Sequence, residues 1–76
     1  MKSFAGKEFI LNSIKEGDTF KGTEFEPVIV GKRFRAGDGF GGQEDDRLSG
    51  AAVCLEQLPA GFLQEFHFYD IDVTWL

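Results

Sequence analysis

The chain has 76 residues, a net charge of −5, one cysteine and one histidine, so it has room for a single core and no disulfide within the chain. A zinc site closed by four Cys or His ligands from one chain is excluded for the same reason. Nine of its eleven aromatic residues are phenylalanine, and each can bury about 150–250 Å², enough to build one compact domain over residues 1–76. The opening Met1-Lys2-Ser3-Phe4-Ala5-Gly6-Lys7 lacks the apolar run of a signal peptide. No stretch approaches the roughly 18 apolar residues of a membrane span. The expectation is a cytoplasmic protein with no membrane partner, in keeping with its lone thiol.

Charge is divided unevenly. Residues 1–35 hold seven Lys/Arg against five Asp/Glu, and residues 36–76 hold one against eight, which gives +2 followed by −7. Such a division bears on which partners are attracted, and not on the fold.

Taken in chain order, Phe4, Ile10, Leu11 and Ile14 fall within one arc of about 120° if residues 4–16 are helical, with Ser3 as N-cap and Gly17 as C-cap. The competing reading is a strand over 8–14 closed by a tight Glu16-Gly17-Asp18 turn. Residues 19–25 have β-branched and aromatic character, with Phe20 and Phe25 at opposite parity, which a bulge at Gly22 would reconcile. Pro27 opens a second strand over 28–35, apolar first and basic second, and the two are expected to form a hairpin.

Residues 36–47 are glycine-rich and then acidic, without apolar periodicity, and read as a loop suited to binding. Residues 48–57 read as a buried strand ended by Pro59-Ala60-Gly61. Over 64–75, His67, Tyr69, Ile71, Val73 and Trp75 are expected on the core face, and Asp70, Asp72 and Thr74 on the wet face. Leu76, following Trp75, extends an apolar end that the fold or another chain would cover. The architecture expected is α+β, an N-terminal helix packed on a mainly antiparallel four-stranded sheet, with an all-β small barrel of five strands as the alternative.

No catalytic set emerges. Cys54 and His67 could form a nucleophile–base pair, but Cys54 sits among Ala, Val and Leu, where a core thiol is the simpler reading. Alternation sends His67 away from Asp70 and Asp72, which argues against a metal site. Gly37-Asp38-Gly39-Phe40-Gly41-Gly42 lacks the Gly-Lys-Ser/Thr ending of a phosphate loop. Asp38, Glu44, Asp45 and Asp46 fit no calcium-loop spacing. No cofactor is expected. Lys32, Arg33 and Arg35 around Phe34 form a small basic patch, but the −7 half opposes direct nucleic-acid binding; these cations are expected to pair with the acidic loop or to protect an edge strand.

What remains is protein contact. Phe40 as an exposed anchor, with Glu44, Asp45 and Asp46 following and Asp70 and Asp72 on the wet face, is the expected binding set for a partner with a basic surface. The function expected is a non-enzymatic protein-binding module. It would be a small acidic inhibitor of a larger nucleic-acid-handling complex, of the kind mobile elements encode against host defences. The alternative is a small-ligand-binding protein that self-associates as a homodimer or larger homo-oligomer, with its site at the interface between copies.

Overall fold

The structure, a computed structural model, describes residues 2–42 and 47–76. Among these residues six strands run in chain order as β1 (Lys2–Ser3), β2 (Glu8–Ile14), β3 (Arg33–Ala36), β4 (Gly41–Gly42), β5 (Leu48–Cys54) and β6 (Glu65–Trp75), with one short helix, α1 (Glu26–Ile29), between β2 and β3. All pairings are antiparallel. The barrel closes through β2–β3–β5–β6 and back to β2. The short β4 continues along β5 beyond β3, and β1 pairs with β4.

The expected α+β architecture is therefore corrected: residues 4–16 form no helix, and no helix packs on a sheet. Burial explains why. Phe9, Leu11 and Ile14 all point inward, a spacing of two and then three that neither a regular strand nor a helix supplies alone. A bulge supplies it: Leu11 pairs with Val73 and Ser13 with Asp72, two residues of β2 opposite one step of β6. Asn12 and Ser13 are left outside, and Asn12 Nδ2 donates to Thr74 Oγ1 at 2.8 Å.

The expected hairpin of 19–25 with 28–35 is also corrected. Residues 18–26 form successive turns, with Lys21 N–H donating to Asp18 C=O, Thr23 N–H to Phe20 C=O and Glu26 N–H to Thr23 C=O. Side chains reinforce them: Asp18 Oδ1 accepts from Phe20 N–H, Thr23 Oγ1 donates to Phe20 C=O, and Glu26 Oε1 accepts from Gly22 N–H. Such local side-chain bonds compete with a strand ladder for the backbone. They also resolve the parity of Phe20 and Phe25, whose rings meet edge-on at 5.6 Å and lie over Phe66. Pro27 then sits in the first turn of α1, where its missing N–H costs nothing.

The core is a phenylalanine stack. Phe9 packs on Phe34 and Phe40 with ring centroids 5.5 and 5.3 Å apart, and Phe34 meets Phe68 edge-on at 5.5 Å. Phe9, Phe34, Phe40 and Phe68 are fully buried, with Leu11, Ile14, Ile29 and Ile71 around them. Burying one such ring contributes roughly 2–3 kcal/mol, which is how a chain this short builds a core with no disulfide.

Strand β6 carries a second bulge. Gly50 pairs with Phe68 and Leu48 with Ile71, so three steps of β6 oppose two of β5. Phe66 and Phe68 face inward before it, and Ile71 faces inward after it. The expectation that His67 and Tyr69 share the core face with Ile71, Val73 and Trp75 is overturned: His67 and Tyr69 are exposed. The expected parity holds only beyond the bulge, where Asp72 and Thr74 are exposed and Val73 and Trp75 are partly buried against the core.

Candidate functional site

Closure of the barrel determines which side chains are available. Phe40, expected as an exposed anchor, is fully buried against Phe9 and edge-on to Trp75. The reason is local: Phe40 N–H turns back to Gly37 C=O, Phe40 C=O accepts from Phe4 N–H, and the ring enters the core just before β4. Glu44, Asp45 and Asp46 lie outside the described residues. Asp70 is half-buried and Asp72 exposed, on either side of Ile71. Ile71 is the register partner of both Leu48 on β5 and Ile14 on β2.

Cys54 and His67 are not brought together. Cys54 is buried on the inner face opposite Phe34, whereas His67 stands on the outer face opposite Ala51. Desolvation pushes the Cys54 thiol above its ordinary range, and its Sγ contacts Glu56 C=O at 3.5 Å. This is the chemistry of an inert thiol. Among the described residues, no three His, Cys, Asp or Glu side chains gather where they could hold a metal ion. No helix among them is long and apolar enough to cross a membrane.

The basic patch finds its partner within the barrel wall. Arg33 Nε lies 3.4 Å from Glu8 Oε1, and Arg35 donates to Glu8 Oε2 at 3.2 Å. Glu8 pairs with Arg35 in the β2–β3 register, so among the described residues Glu8 is the carboxylate that joins these two cations. These are exposed pairs, each worth a fraction of a kcal/mol.

The surface that the sequence did not reveal lies on the outer wall of β5 and β6. His67 and Tyr69 stand there with ring centroids 4.9 Å apart at 48°. Ala51 is opposite His67, and Val53, 39% exposed, lies between Arg35 on β3 and Glu65 on β6. Tyr69 is 51% exposed. The inner aromatics are consumed by the core, so among the described residues this tilted pair beside an exposed valine is the exposed aromatic surface. Strict alternation back from Ile71 would hide the pair inside; the bulge lets Phe66 and Phe68 face inward as well and leaves the pair outside. Comparison with protein-family models, curated proteins and solved structures finds no match to this chain.

Proposed function

We propose that this barrel is a non-enzymatic binding protein that takes a small ligand against the outer wall formed by Val53, His67 and Tyr69, between two copies of itself. The observation that carries the reading is the filled interior: four phenylalanine rings and four aliphatic side chains occupy the space a larger barrel would leave for a ligand. A ligand is left with the outside. A convex outer wall cannot enclose the 70–90% of a small molecule's surface that such sites bury, so a second surface is needed, and another copy of the chain supplies it. The test is a melting-temperature screen against a metabolite panel, run beside sedimentation at micromolar concentration. A ligand-dependent rise that is lost in His67→Ala and Tyr69→Ala, with a concentration-dependent dimer, supports it. A strict monomer with no rise for any compound overturns it.

A second reading is a module that docks on a basic protein surface through its acidic half, with the interaction inhibiting a larger nucleic-acid-handling complex. It is favoured by one register. Gly42 and Leu48, which bracket the acidic segment, are partners, and Leu48 is also the partner of Ile71, the residue between Asp70 and Asp72. The described residues on either side of the acidic segment are thus held beside the strand that carries Asp70 and Asp72. Capture from a lysate should then be salt-sensitive and be lost when Glu44, Asp45, Asp46, Asp70 and Asp72 are made neutral. Capture undiminished in that variant removes the acidic surface from the account.

A further inference from the structure

Asp18 is the one buried charged residue among those described, 6% exposed, and its bonds go to an unusual place. Oδ1 accepts from Phe20 N–H at 2.9 Å, two residues on, as an aspartate does at a turn. Oδ2 accepts from Tyr69 N–H at 2.6 Å and from Asp70 N–H at 2.9 Å. Those are the two residues that the β6 bulge sets between Phe68 and Ile71, whose β5 partners are Gly50 and Leu48. A carboxylate in this position satisfies donors that a bulge takes out of the ladder.

The turn before it is shaped for the same contact. A Cβ built on Gly17 would fall 2.9 Å from Asp70 Oδ2, the tip of a side chain, so the turn runs close against Asp70. Lys15 N–H donates to Asp70 C=O at 3.0 Å. The turn thus holds both the N–H and the C=O of Asp70.

From this geometry we infer that Asp18 is a positioning residue for the His67–Tyr69 pair: by holding the Tyr69 and Asp70 amides it fixes the bulge and, with it, the pose of the Tyr69 ring beside His67. Without the bulge, alternation carried back from Ile71 would put Tyr69 and His67 in the core; the bulge is what lets Phe66, Phe68 and Ile71 all face inward. The inference deepens the outer-wall reading by naming the residue that shapes the wall, yet its test reads the pose of the rings with no ligand present. A failure of the pose is therefore distinct from a failure of binding.

The experiment is nuclear magnetic resonance on wild type and Asp18→Asn. Asparagine can place an oxygen at only one of the two carboxylate positions, so either Phe20 or the Tyr69/Asp70 pair must face an NH₂ group. The expected result is loss of the ring–ring contact between His67 and Tyr69 while the Phe9–Trp75 contact of the core persists. A variant that keeps the His67–Tyr69 contact unchanged, with the Tyr69 and Asp70 amides open to exchange, overturns the inference. If Asp18→Asn does not fold, wild-type amide exchange decides. Tyr69 and Asp70 should exchange together with Phe20, and free exchange of the two bulge amides while Phe20 stays protected refutes the role.

Discussion

Gly50 and Phe40 touch backbone to backbone: a Cβ built on Gly50 would lie 2.6 Å from Phe40 Cα, at a φ of +132° that side-chain-bearing residues rarely adopt. This contact lets the segment that precedes β4 fold in against β5 and deliver the Phe40 ring to the core. Gly50→Ala should therefore destabilise the barrel by about 2–5 kcal/mol, combining overpacking with backbone strain. Urea unfolding monitored by Trp75 fluorescence measures it, and a loss under about 0.5 kcal/mol would show that the two segments can part.

Phe40 and Tyr69 should respond in opposite ways. Removing the buried ring in Phe40→Ala is expected to cost about 3–5 kcal/mol, whereas Tyr69→Ala, on the outer wall, should stay within roughly 0.5 kcal/mol. Thermal unfolding of the two variants side by side checks this. A stable Phe40→Ala would return that residue to the surface.

The Cys54 thiol, buried and held above its ordinary pKa by desolvation, should resist alkylation in the native state at neutral pH and react fully in urea. Labelling followed by mass spectrometry reads the difference directly. Rapid native labelling would mean that β5 opens near its C-terminal end.

Glu26 gives the acid limb a definite sign. Gly22 N–H on its carboxylate, with a further contribution from Lys21 at 3.2 Å, lowers its pKa below the ordinary 4.5. A pKa depressed in the folded state means stabilisation that is present above the unfolded value and lost as pH falls through the folded one. Stability measured from pH 6 to pH 3 should fall less steeply in Glu26→Gln than in wild type. Parallel curves would show that the 18–26 turns do not depend on this carboxylate.

The residues of the candidate site divide by how far each one's position depends on the rest of the chain. Asp70 and Asp72 could be grouped from their spacing in β6, but the partner that makes them neighbours of the acidic segment's anchor, Leu48, could not. Phe40 was misplaced because a lone aromatic between glycines reads as exposed, and nothing local tells that Gly50 leaves room for it to turn inward. The Asp18 bond to Phe20 has a sequence signature, an aspartate in a glycine-containing turn. Its bonds to Tyr69 and Asp70, 51 and 52 residues away, have none.

The sequence by itself determined the strands Leu48–Cys54 and Glu65–Trp75 in outline, the breaks around Gly17 and Pro59, and a core made chiefly of phenylalanine. Those follow from β-branched and aromatic content and from turn residues, which act locally. Tertiary structure alone decided the faces. Two bulges, at Asn12–Ser13 and Tyr69–Asp70, each shift parity by one residue. One puts Phe9, Leu11 and Ile14 in a single core and made a helix look plausible, and the other brings Phe66, Phe68 and Ile71 into the core together with His67 and Tyr69 left outside. A bulge is stabilised by what satisfies its freed backbone groups, and here that is a side chain from a distant turn, beyond the reach of any local pattern.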